Sequence, residues 1–161
     1  MALSVHWGWL MASVKRYEEL DCYQLAVEIR RDVLRLTRRA RVREDRRFCA
    51  QIRDSARGAP RNIAEGYALF NPVEIARFLT YARGSLNETK NHAVDGQESQ
   101  YFTKEETDRL ISLIKRTHGA IRRWTDYLES PRAKQFYERF KAQRQSDPIP
   151  RPQRRRRTRN R

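Results

Sequence analysis

Cys22, Ala26, Ile29, Val33, Leu36 and Ala40 recur at alternating spacings of four and three, one apolar stripe on a helix predicted over about Asp21 to Arg41. A second stripe, Cys49, Ile52, Ala56, Ala59 and Ile63, follows Asp45 and predicts a helix closed by Gly66, a natural residue for a left-handed stop. Pro60 lies inside it and predicts a kink or a restart, because proline removes one backbone donor. Asn71-Pro72-Val73-Glu74 is a helix-start pattern: Asn71 caps, Pro72 takes the first helical position and Glu74 reaches back to a free amide. Ile75, Leu79, Ala82, Leu86, Thr89 and Ala93 continue it to about Asp95, with Gly96 closing. Thr103-Lys104-Glu105-Glu106 repeats the cap, and Leu110, Leu113, Ile114, Thr117, Ile121, Trp124 and Leu128 form the fourth stripe.

No strand pattern competes with these four helices. Short connections make sequential helices antiparallel neighbours, so the expected fold is all-α, an up-down-up-down four-helix bundle over residues 17–130. Residues 1–16 read as a disordered N-terminal extension, with either Met1 or Met11 as the start. Phe136, Tyr137 and Phe140 predict one short helix over residues 131–145, docked on the bundle or on another subunit. Residues 146–161 combine prolines and arginines without apolar surface to bury, and are expected to be a disordered basic tail.

Charge changes the picture. Lys and Arg number 35 against 20 Asp and Glu, a net charge of +15, and from Pro131 onward twelve basic residues face two acids. Such a balance favours polyanions, nucleic acid before an anionic membrane because the tail has no apolar face. Cys22 and Cys49 lack CxxC spacing and fall on apolar positions, so they read as reduced core thiols. With no membrane-length apolar run and no signal peptide, the expected location is the cytoplasm.

Two runs place small and polar residues on otherwise core-facing segments: Asn62-Ile63-Ala64-Glu65-Gly66 and Gly84-Ser85-Leu86-Asn87-Glu88. With Leu25-Ala26, Gln51-Ile52-Arg53 leading to Pro60, and Phe78-Leu79 through Ala82-Arg83, their order and spacing over Tyr17 to Leu128 resemble a bacterial family. These are the four-helix-bundle proteins encoded in intervening sequences of 23S ribosomal RNA. The resemblance implies a homo-oligomer, in known relatives a ring of five. It also implies a distant relation to the accessory proteins of diversity-generating retroelements, which bind nucleic acid and a reverse transcriptase through a basic surface. Gly58 and Ala59 depart from the family pattern, and the arginine tail is no part of its core.

Four constellations are candidates for function. Asn62, Glu65, Gly66, Arg83, Gly84, Ser85 and Glu88 suggest a polar network between the second and third helices. Buried carboxylates there need cations, with Arg53, Arg57, Arg61 and Arg83 as candidates. This is either a pocket for a partner or, more economically, a structural network that fixes register and lets Gly84 approach the facing backbone. Glu65, Glu88, His92 and His118 are potential metal ligands, but the Glu-x-x-His spacing of di-metal bundles is missing, so no metal or other cofactor is expected. No nucleophile elbow, phosphate loop or Cys–His pair is present, and no enzymatic role is expected.

The fourth constellation is basic. Arg30, Arg31, Arg35, Arg38, Arg39, Arg41, Arg43, Arg46 and Arg47 stand against only Asp32, Glu44 and Asp45. Arg154, Arg155, Arg156, Arg157 and Arg159 follow in the tail. Guanidinium forks suit phosphates, so both clusters are expected to bind RNA, with Tyr101 and Phe102 as possible base-stacking residues. The alternative is a scaffold that recruits a nucleic-acid enzyme such as a reverse transcriptase.

Overall fold

A computed structural model describes residues 16–146. Among them are six α-helices and no strand: α1 (Asp21–Leu36), α2 (Ala40–Glu44), α3 (Arg46–Leu69), α4 (Pro72–Glu98), α5 (Lys104–Glu129) and α6 (Pro131–Ser146), after one 3-10 turn at Tyr17–Glu19. The extension before Arg16 and the tail beyond Ser146 lie outside the described residues.

The apolar stripes became the core. Every stripe residue from Cys22 to Leu36, Cys49 to Ile63, Ile75 to Ala93 and Leu110 to Leu128 is buried. Each large aliphatic among them contributes about 1.5–3 kcal/mol of transfer free energy. Ala40 is the exception and is exposed. α3 packs on α4, α4 on α5, α5 on α1, and α1 back on α3, so the four long helices share one core.

Helix ends differ from expectation in three places. The first helix stops at Leu36 and restarts as α2. Thr37 turns its hydroxyl back to the Val33 carbonyl at 2.8 Å, and Arg53 donates to both Thr37 Oγ1 and the Thr37 carbonyl at 2.7 Å. Arg53 is the strong donor to the Thr37 carbonyl at this buried helix end, where the Cys49 thiol adds only a weak contact at 3.8 Å. Gly66 does not stop α3, which runs on to Leu69 and ends with Phe70 in the left-handed region at φ 52°. Pro60 sits inside α3, and its missing N–H leaves the Ala56 carbonyl without the usual helical donor. Gly96 likewise lies within α4, where its carbonyl accepts from the amides of Tyr101 and Phe102.

The start signals held. Asp45 accepts from the Phe48 amide, Asn71 from the Val73 amide, and Thr103 and Glu106 form a reciprocal capping box. Glu74 pairs with Arg77 and does not reach back to a free amide.

Candidate nucleic-acid interface

The break between α1 and α3 concentrates arginine at one end of the molecule. Val42 is the anchor of α2, buried among the core residues. Because a five-residue helix buries only that one side chain, its other residues face water. Arg38, Arg41, Arg43, Arg46 and Arg47 are all exposed, with Glu44 the one exposed acid in the same stretch. Asp45 is half-buried and engaged twice, as the cap of α3 and as acceptor from the Tyr101 hydroxyl at 3.2 Å. Arg41 reaches Gln100 at 3.4 Å.

The remaining arginines of the predicted face behave differently. Arg39 forms a two-pronged pair with Glu106 on α5. Glu106 raises the Arg39 pKa, and the Arg39 guanidinium lowers that of the Glu106 carboxyl. Arg35 pairs with Asp32 at 3.3 Å, and Asp32 also accepts from Arg109, which bonds Glu28 at 2.8 Å. Arg30 is half-buried and its Nε is shielded without a hydrogen bond. Arg31 is exposed. Arg39 and Arg35 therefore sit in internal ion pairs, two of the nine that were expected to face phosphates. The arginines of the tail lie outside the described residues.

Tyr101 and Phe102 are not a stacking platform. Phe102 is buried, and Tyr101 packs on Phe48 with its hydroxyl on Asp45. Burial and that hydrogen bond push the phenol pKa up.

Between α3 and α4 the polar residues are arranged otherwise than expected. Glu65, Arg83, Gly84 and Glu88 are exposed, so the two carboxylates need no buried cation. Gly84 has open space where a Cβ would stand, and the close approach belongs to Gly58, whose added Cβ would lie 2.4 Å from Ser85 Oγ. Gly66 is packed against Phe78 in the same way. Asn62 is buried and Ser85 half-buried. The hydroxyls of Ser55 and Thr89 join the helices directly, at 3.1 Å, while Thr89 also bonds the Ser85 carbonyl. Sequence reasoning missed this pair, although Thr89 falls where a stripe calls for an apolar side chain and Ser55 stands beside the stripe residue Ala56.

Of the four groups considered as metal ligands, only His92 and Glu88 are paired. His92 lies 3.9 Å from Glu88 and 3.7 Å from Asp95, whereas His118 bonds Asn87 at 3.1 Å. Burial, then Arg83 and Lys90, hold the His118 imidazole below its usual pKa. No group of three or more His, Cys, Asp or Glu suited to a metal occurs among the described residues. Burial pushes the Cys22 thiol up to about 12 and raises Cys49 as well, so neither is a ready nucleophile. No described helix is long and apolar enough to cross a membrane.

No curated protein matches the chain. The model of the 23S rRNA-intervening sequence protein family matches residues 18–123 of the 161, which takes in α1 through most of α5. The chain belongs to the 23S rRNA-intervening sequence protein family.

Proposed function

We propose that the chain is a non-enzymatic, homo-oligomeric RNA-binding protein, an antiparallel four-helix bundle that grips phosphates with the arginines around α2. One observation carries this reading: Arg38, Arg41, Arg43, Arg46 and Arg47 are exposed together within ten residues, with Glu44 the only exposed acid among them. The fold part of the reading draws on the residue pairs between helices. Gly66 meets Phe78, Gly58 meets Ser85, Ser55 meets Thr89 and Phe48 meets Gly96, so advance along α3 matches retreat along α4. Thr107 to Ala93 and His118 to Asn87 give α5 the same sense against α4, and Arg109 to Asp32, with Glu106 meeting Arg39 just past the end of α1, supports it against α1.

Phosphate contacts of this kind set affinity and register without reading bases. The Arg154 to Arg157 run and Arg159 would add further contacts, and copies of the chain in an oligomer, five by family resemblance, would multiply them. Ultraviolet crosslinking of the purified full chain to cellular RNA, followed by peptide mapping, tests the assignment. Crosslinked peptides from residues 38–47 are expected; crosslinks confined to other helices, or none, would contradict it.

A further inference from the structure

An apolar groove opens where α3, α4, α5 and α6 meet. Its walls are mostly rings: Tyr67 in the last turn of α3, Phe70 just past it, Trp124 on α5, and Phe136 and Tyr137 on α6, with Ile75 of α4 among them. None of the described residues that line it carries a charge. Phe70 and Phe136 are 38% and 55% exposed, and their rings stand 6.5 Å apart. Isolated exposed apolar side chains are ordinary, but a contiguous set of large ones marks an interaction surface. Phe70 adds a second sign. The chain holds this bulky residue at φ 52°, where glycine or asparagine would end α3 without strain, and so keeps a phenyl ring at the groove.

Size and proximity decide what covers the groove. Its volume is about 160 Å³, short of the roughly 300–1,000 Å³ of small-molecule sites, so it suits one or two side chains. A polyanion gains nothing from an uncharged wall, and the adjoining rim offers Glu129 and Glu138 against Lys134. An apolar segment of this same chain is close at hand. Residues 1–15 hold Val5, Trp7, Trp9, Leu10, Met11 and Val14, no acid, and Lys15 as the one fully charged side chain. Two indoles in water carry a large apolar area whose burial is favourable. The described chain begins at the edge of the groove: the ring of Tyr17 lies 6.3 Å from that of Tyr67, which lies 6.4 Å from that of Trp124. Trp9 precedes Tyr17 by eight residues, a reach of up to roughly 26 Å, while Phe70 follows Tyr67 by only three. We propose that residues 5–14 turn back at Tyr17 and cover this groove, with the indoles of Trp7 and Trp9 against the rings of Phe70 and Phe136. The chain thereby caps its own apolar opening, whereas a chain begun at Met11 lacks both indoles and leaves it open. The proposal depends neither on RNA binding nor on assembly.

Acrylamide quenching of tryptophan fluorescence in the full chain, over a dilution series and beside the free peptide of residues 1–15, tests it. Of the three tryptophans, Trp124 is already buried in the core, and a chain begun at Met11 supplies its signal alone. Trp7 and Trp9 are expected to be quenched several-fold less than in the peptide, equally at every dilution, and to open to the quencher in the variant Phe70→Gly, Phe136→Glu. Both substituted residues are exposed, so the variant keeps its helical circular dichroism. Indoles as open in the full chain as in the peptide leave the groove to another occupant and overturn the proposal, as does shielding that the variant does not relieve. Shielding lost on dilution gives the groove to the segment of a second copy and overturns it too. The pair Trp9→Cys, Phe136→Cys locates the segment without relying on the fold of that variant, since Cys22 and Cys49 are buried. A disulfide within one chain is expected on oxidation; one between chains, or none, contradicts the proposal.

Discussion

Gly58 shows how one missing side chain sets the spacing of two helices. An alanine Cβ there would meet Ser85 at 2.4 Å from Oγ and 2.9 Å from Cβ, so Gly58→Ala should cost about 1–3 kcal/mol in urea unfolding. Adding Ser85→Gly should recover part of that loss, and two simply additive losses would contradict the close packing. Glu106 serves both the capping box of α5 and the ion pair to Arg39. Glu106→Gln should lower stability by about 1 kcal/mol. Its carboxyl pKa is lowered in the fold, so this contribution is present above the unfolded value and is lost as pH falls through the folded one. His118 acts at milder acidity. The folded pKa is depressed, chiefly by burial, so stability declines as pH falls from about 6.5, where the unfolded chain takes up the proton first. His118→Asn should flatten that part of the stability profile, and a profile unchanged from wild type would show that the shift is absent. At this scale the sequence was misleading where it was most suggestive: of the two glycines, Gly84 drew notice but faces open space, while Gly58 makes the contact. Gly58 and Gly84 each stand between an arginine and a small residue, so the local run does not tell which helix face either glycine occupies.

At the scale of elements, apolar periodicity located the long helices because burying an unbroken stripe outweighs local preference. The cap sequences at Asp45, Asn71 and Thr103 set their starts. Ends were less legible. Gly66 and Gly96 looked like stops, yet each is retained inside a helix because a neighbouring aromatic ring or side chain lies where its Cβ would be. The break after Leu36 depends on Arg53, sixteen residues beyond Thr37, and no local signal reveals a donor supplied from another helix. Arg53→Ala should therefore leave the Thr37 carbonyl short of a donor and cost about 1.5–3 kcal/mol. Faster amide exchange at residues 36–39 would locate the damage; uniform change across the chain would place Arg53's role elsewhere. The same break produced the basic cluster, since a continuous first helix would have spread its arginines along its own length instead of gathering five around α2.

Across the whole molecule exposed arginines are widespread but densest around α2, while exposed aromatic and aliphatic side chains, Leu69, Phe70, Val73 and Phe136, gather where α3, α4 and α6 meet. Periodicity alone could not show this, because the apolar patch is assembled from residues distant in the chain, and ion pairs engage Arg35 and Arg39 on a face that looked uniformly basic. Changing Arg38, Arg41, Arg43, Arg46 and Arg47 together to Gln leaves the buried core untouched and removes the exposed charge around α2. The most direct measurement is the dependence of RNA affinity on salt for the wild type and this variant. If the five arginines each meet a phosphate on single-stranded RNA, the log-log slope of the variant should be shallower by about 3.5. Equal slopes for the two proteins, or no RNA binding by the wild type in dilute buffer, would contradict the account.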